Sequence, residues 1–222
     1  MAREQTVSLN EGIRVQEARF CLLCDSEGKI LYQNLRDRFF SAPGIWALLQ
    51  CPKCGLIWLN PRPVDEDIGK LYEDYCTHQI TIPRFARLRG IIENSILAAR
   101  LGYDSLASSS LQKILGKALS WIGPIREIAE LSVMALESHP KGKLLDVACG
   151  NGVFLAKMRD LGWEVTGVEP DEQAVKVARE YYGLDVYKGT LEEVGFQDNT
   201  FDAIILSHVI EHVPNPISTL RE

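Results

Sequence analysis

Long apolar runs are missing from this chain of 222 residues. No uncharged apolar stretch approaches the ~18–20 residues that a membrane-spanning helix needs, so no span is expected. The N-terminal MAREQTVSLNEGIRVQE is charged and lacks the apolar core of a secretory signal, which predicts a cytoplasmic location. A strong excess of one charge is also missing: 24 Lys and Arg stand against 30 Asp and Glu. With 24% charged residues, 46% hydrophobic residues and four Trp, the composition excludes a disordered chain. What charge bias there is lies unevenly. Residues 1–142 carry 17 basic and 16 acidic side chains, and residues 143–222 carry 7 and 14. The step predicts two kinds of unit and argues against a nucleic-acid face in the last third, where phosphate is repelled.

Four of the six cysteines form two C-x-x-C pairs, Cys21 with Cys24 and Cys51 with Cys54. Two such turns can present four thiolates to one tetrahedral zinc ion, and four cysteine ligands leave no open position for catalysis. The segment between them reads as strand material (Lys29–Tyr32, Ile45–Gln50, then Leu56–Leu59), so a zinc ribbon with a structural metal is expected. Disulfides are disfavoured without an export signal. A redox pair belongs at a helix start near a βαβ unit, and neither pair is so placed. Cys76 and His78 read as bystanders, and Cys149 as a small polarizable residue. Two prolines, Pro61 and Pro63, end the ribbon, and Asp65-Glu66-Asp67 opens a short helix through Tyr72.

Residues 84–137 read as helices, with Ile91, Ile92, Ile96 and Ala99, then Leu111, Ile114, Leu115, Ala118, Leu119 and Ile122, at helical spacing. Ser105–Ser110 reads as a loop and Gly123-Pro124 as a break. Arg84, Arg87, Arg89, Arg100, Lys113, Lys117 and Arg126 make this stretch basic. It is either a lid for an anionic substrate or a solvated face packing on the next domain, with membrane association a third reading.

From Lys143 the pattern becomes strand, glycine turn, helix, strand, acid. Lys143–Ala148 precedes Cys149-Gly150-Asn151-Gly152, and Glu164–Glu169 precedes Pro170-Asp171. Strands are also expected at 185–189 and 201–207. This is a mononucleotide-binding half of a doubly wound fold. The dinucleotide fingerprint G-x-G-x-x-G is lacking, since Ala148 and Val153 occupy two of its glycine places. Asp146 would repel a pyrophosphate. It suits a ligand whose end is cationic, such as the ammonium and sulfonium of S-adenosylmethionine, while Glu169 can accept ribose hydroxyls.

Asp146–Gly152, Gly167–Asp171, Gly189–Glu192 and Phe201–Val213 resemble consecutive motifs of class I S-adenosylmethionine-dependent methyltransferases. The paired cysteines with Cys51-Pro52-Lys53-Cys54-Gly55 resemble the subgroup with an N-terminal zinc ribbon, which includes deoxysugar C-methyltransferases and polysaccharide-pathway enzymes. The resemblance implies that Asp146, Ala148, Gly150 and Gly152 hold the methionine portion of the cofactor. It further implies that Glu169 binds the ribose, that Pro170, Thr190 and Leu191 border adenine, and that Ser207 and His208 face the methyl group. Ala148 stands where the family commonly has Gly, a mild change if φ is negative there.

Methyl transfer needs alignment and, for many nucleophiles, a base. His208, Glu211 and His212 are spaced to share one side of a helical turn, and His208 or His212 is the candidate base. Divalent-metal binding by this group, or a turn-capping role for His212 before Pro214, are the alternatives. The expected architecture is α/β: a zinc ribbon over 15–63, a helical linker over 64–142, and a partial Rossmann-like sheet over 143–222. Four strands are visible of the seven that the family has, so the chain reads as an incomplete domain. The expected substrate is a small molecule, anionic in the manner of a nucleotide-sugar or glycan precursor. An RNA or protein methyltransferase and a non-catalytic scaffold are the alternatives; a nucleic-acid partner is disfavoured because residues 1–83 show no basic-aromatic stripe.

Overall fold

The computed structural model describes residues 7–38, 41–71, 86–213 and 215–222. Cys76, His78, Arg84 and Pro214 therefore lie outside the described residues. The chain forms two compact units, residues 1–80 and 81–222.

The described part of the first unit begins with a hairpin that the cysteine pattern does not announce. Strands β1 (Val7–Asn10) and β2 (Ile13–Gln16) pair antiparallel across Glu11 and Gly12, whose φ angles of 51° and 96° suit a tight hairpin turn. The ribbon strands follow as β3 (Lys29–Leu35), β4 (Trp46–Gln50) and β5 (Ile57–Asn60), an antiparallel sheet with β4 at its centre. A two-residue strand, β6 (Arg62–Pro63), returns to pair with β2. Ile13, Val15 and Trp46 are the buried core, with Leu35, Leu59 and Leu71 packed against them. The helix expected from Asp65 is a 3-10 helix, Asp65–Leu71. Its Asp67 is 1% exposed and accepts the Arg14 backbone N–H at 2.8 Å and the Arg14 guanidinium at 2.8 and 3.2 Å. Lys70 lies 3.0 Å away. These donors hold the Asp67 carboxyl well below the usual carboxylate range, so a buried charge becomes a clamp between β2 and the 3-10 helix.

The second unit begins with α1 (Ala86–Arg100), α2 (Ser110–Leu119) and α3 (Gly123–Leu131). Ser109 caps α2 by accepting the Gln112 N–H. Gly123-Pro124 does not simply break a helix. It opens α3, where proline is tolerated because the first turn leaves its N–H groups unbonded. The alternation of strand and helix then runs β7 (Lys143–Val147), α4 (Val153–Asp160), β8 (Glu164–Glu169), α5 (Glu172–Glu180), β9 (Val186–Lys188), α6 (Leu191–Val194), β10 (Ala203–Ile205) and α7 (Pro216–Arg221). All four strands are parallel in the order β10-β7-β8-β9, as expected for a Rossmann-like half.

Both sheet faces are apolar, as a parallel sheet requires. Leu145, Val147 and Val168 meet Leu191 and Val209 on one side. On the other, Leu144 meets Met158, Leu161 and Trp163 from the α4 region together with Leu97, Tyr103 and Val133. Residues 86–138 thus share the sheet's own core. Tyr103 is the polar centre of that contact: its hydroxyl donates to the Leu136 carbonyl at 3.0 Å and accepts the Trp163 indole N–H at 3.3 Å.

The turn after β7 corrects one sequence expectation. Ala148 has φ +55°, in the left-handed region, rather than the negative φ that would make its methyl harmless. An L-residue there costs about 1–2 kcal/mol.

Two stability measurements check these contacts. Tyr103→Phe strands a buried carbonyl and an indole N–H, and should lower unfolding free energy in urea by about 1–3 kcal/mol. Ala148→Gly relieves the left-handed strain and, net of glycine's extra chain entropy, should raise it by about 1 kcal/mol.

Candidate cofactor site and thiol cluster

Parallel strands end at the same sheet edge, so topology gathers the turns after β7, β8, β9 and β10 at one end. The chain runs from β7 outward to β9 and then returns to β10 on the far side of β7. In open sheets of this kind ligands bind beyond the carboxyl ends of the strands, where strand order reverses.

Glu169 organises the near wall. It is 7% exposed, and its two carboxylate oxygens accept the Gly150 N–H at 2.8 Å and the Asp171 N–H at 2.9 Å. The last residue of β8 thereby grips the turn that follows β7. A carboxylate has about four acceptor positions, so two remain for hydroxyl donors. Gly152 caps α4 at φ +81°, and a Cβ there would lie 2.5 Å from Leu184 Cδ1. Glycine is required at this point by both conformation and close approach. Gly150, at φ +56°, has open space around its missing side chain, so its backbone is accessible to a ligand.

Asp146 lies beside this pair, 6% exposed near the end of β7. Burial, and then the negative charge of Glu169, push its carboxyl up to about 7. Two buried acids in one pocket are costly unless a cation joins them. The same burial, with both acids nearby, pushes the Cys149 thiol up to about 12. Cys149 is thus an un-ionised packing group against Gly167, where an added Cβ would lie 2.6 Å from its Sγ.

The other sequence-selected residues fall into two sets. Pro170 is exposed at the same edge, directly after Glu169. Thr190 and Leu191 are engaged in the fold: Thr190 caps α6 in a reciprocal box with Glu193, and the Leu191 side chain is buried in the core beneath the sheet. Ser207 is half-buried and begins the turns after β10. His208 follows at φ +56° with its imidazole turned to solvent. Its Nδ1 lies 3.6 Å from Glu211 Oε1, and His212 Nε2 lies 3.8 Å from the same oxygen. The segment is a series of turns, not a helix, but Glu211 still stands between both imidazoles.

In the first unit, the two C-x-x-C turns sit between β2 and β3 and between β4 and β5. Cys21 and Cys54 Sγ are 3.5 Å apart, Cys24 and Cys51 are 3.3 Å apart, and all four sulfurs lie within 4.8 Å of one another. A tetrahedral site with ~2.3 Å metal–sulfur bonds places sulfurs about 3.8 Å apart, so the spacing fits one ion. It does not fit disulfides, and these cysteines are free. The Leu23 N–H points to Cys21 Sγ, and the Lys53 and Cys54 N–H groups to Cys51 Sγ, each at 3.4 Å. Burial opposes the Cys51 thiolate, but these amides and the adjacent thiols bring its pKa down to about 6. Among the described residues, this is the one group of three or more such ligand atoms close enough for a single ion; His208, Glu211 and His212 do not form a second.

Comparison with known proteins places the second unit. Residues 145–222 match the family model described as "Methyltransferase domain". A ubiquinone biosynthesis O-methyltransferase from Nitrosospira multiformis is 32% identical over 107 residues, covering 44% of this chain and 45% of that protein. The protein of the same name from Azoarcus is 36% identical over 107 residues, covering 44% and 46%. The crystal structure of the PH0226 protein from Pyrococcus horikoshii shares 30% identity, with a TM-score of 0.37 and coverage of 45% and 46%. The chain spans about half the length of the curated relatives it matches. These relatives are named for ubiquinone biosynthesis, not for the deoxysugar and polysaccharide pathways that the ribbon resemblance implied. Over residues 145–222 the chain is thus similar to methyltransferase domains.

Proposed function

We propose that this chain binds S-adenosylmethionine at the ends of β7 and β8 and takes part in transferring its methyl group to an oxygen of a small molecule. The observation that carries the reading is the buried pair Asp146 and Glu169 around an open glycine turn. Asp146 offers negative charge to the ammonium and sulfonium end. The free acceptor positions of Glu169 suit the ribose hydroxyls, and the Gly150 backbone lets the ligand approach closely. The sulfonium is already a strong electrophile, so the protein's work is to align it with the nucleophile and to take up a proton. His208 and His212, bridged by Glu211, stand at the same sheet edge and are the candidate bases. Transfer to oxygen is favoured over transfer to a sugar carbon because the matched relatives are named O-methyltransferases. The substrate class is tested by offering a hydroxylated aromatic and a nucleotide-sugar to the protein with labelled cofactor; methylation of the sugar alone would reverse the preference.

The four thiols are proposed to hold one structural zinc ion. The sulfur spacing and the amide donors suit a tetrathiolate, which locks the ends of the ribbon hairpins together and leaves no open coordination position.

The pH dependence of cofactor binding follows from Asp146. A carboxyl with a raised folded pKa favours the folded protein most when protonated; that contribution is full below about pH 4 and falls away as pH climbs toward 7. A cationic ligand favours the ionised form and must expel the proton. Calorimetry should show S-adenosylmethionine binding at least roughly tenfold tighter at pH 8 than at pH 5.5, with proton release near neutrality. Asp146→Asn should abolish the pH dependence, and Glu169→Ala should weaken binding by about tenfold or more at every pH. Equal binding by wild type and Glu169→Ala would refute the site.

Elemental analysis of freshly purified, reduced protein should find about one zinc per chain. Cys51→Ser should lose most of it and melt the first unit at lower temperature, whereas Cys149→Ser should keep it.

A further inference from the structure

The turns that carry His208 and His212, between β10 and α7, are held from outside by the short helix α6. Within the turns, the His212 N–H donates to the Val209 carbonyl at 2.8 Å. Helix α6 grips the segment at two further points. Val209 is 7% exposed and lies in one apolar cluster with Leu191, the first residue of α6. In α7, Thr219 is 6% exposed, and its hydroxyl donates to Glu192 Oε1 at 2.6 Å across 27 residues of chain. Helix α6 is itself tied to the cofactor wall, because the Gly189 N–H just before it donates to the Glu169 carbonyl at 3.1 Å. Contacts therefore run from the acid that grips Gly150, through α6, to the histidine-bearing turns.

The Thr219 hydroxyl has another partner within reach. The Asn215 carbonyl lies 3.3 Å away, one turn back, where a helical threonine commonly bonds. Burial alone therefore does not require the bond to Glu192. The carboxylate outcompetes that carbonyl because a charge-assisted bond is shorter and about twice as strong. In return the Thr219 hydroxyl, ahead of the Glu192 backbone N–H, holds the Glu192 carboxyl below its ordinary pKa. We propose that Glu192 is a positioning residue: through Thr219 it holds the turns carrying His208 and His212 in a fixed place against the cofactor acid Glu169. The inference rests on reading those histidines as candidate bases beside bound S-adenosylmethionine. Such a tie matters because a misplacement of about 1 Å can cost a factor of about 100 in rate.

Proton NMR of the full chain, with imidazole signals assigned from His208→Gln and His212→Gln, tests the tie without relying on turnover. Added S-adenosylmethionine should shift a His208 or His212 signal in the wild type. Glu192→Ala and Thr219→Val should bind the cofactor within about twofold of wild type by calorimetry, yet lose most of that shift. Glu192→Gln and Thr219→Ser, which keep an acceptor and a donor, should restore it. Amide exchange over 207–213 should quicken about tenfold or more in the first two variants, the factor that a hydrogen bond to a charged group is worth. A histidine shift that persists in Glu192→Ala and Thr219→Val overturns the proposal. So does a loss of the shift that comes with lost cofactor binding or a lower melting temperature, which marks Glu192 as structural only. A wild type whose histidines do not respond to the cofactor overturns the reading of them as bases, and the proposal with it.

Discussion

The carboxylate of Glu169, held between the N–H groups of Gly150 and Asp171, joins the two strands on which the site depends. Parallel strands meet only through their ladder, and the loops at their ends have no pairing of their own. A buried acid at the end of β8 that accepts from the turn after β7 fixes those loops against each other. Burial, and then the neighbouring negative charge of Glu169, push the Asp146 carboxyl up to about 7. Within the same turn Ala148 is left-handed, and Gly152 is left-handed with its Cβ position against Leu184.

The first unit solves a related problem with different groups. Its described core is small, centred on Ile13, Val15 and Trp46, so ionic and thiolate interactions carry more of the burden. Asp67 is tolerated in that interior because Arg14 and Lys70 surround it with donors. The four thiols gather with amide N–H groups aimed at two of their sulfurs, an arrangement suited to negative charge on sulfur. In both units backbone N–H groups are among the donors that hold a buried acid.

Much of this was legible because the signals are local. The C-x-x-C pairs predict clustered sulfurs because a short turn has few ways to point two side chains. Asp146, the glycines at 150 and 152, and Glu169 could be read because strand length and turn chemistry place them at one sheet edge. The residues that escaped the reading depend on partners far along the chain. Asn10-Glu11-Gly12 was a hairpin signal that the cysteine pattern overshadowed. Asp67 is unremarkable among three acids until Arg14, 53 residues earlier, folds onto it. The Thr190 side chain caps α6 and Leu191 is buried in the core, contacts that no motif announces.

The sequence by itself determined the strand and helix alternation from Lys143 onward, the clustering of thiols and the choice of acids and glycines at the sheet edge, because periodicity, turn residues and ligand spacing act over a few residues. Only the tertiary structure decided that residues 86–138 share the sheet's core through Tyr103 and Trp163, and that α2 turns its apolar stripe outward. Helical spacing shows that a face is apolar but not which way it points. That depends on which side fits against α1, and the absence of a side chain at Gly116 settled it.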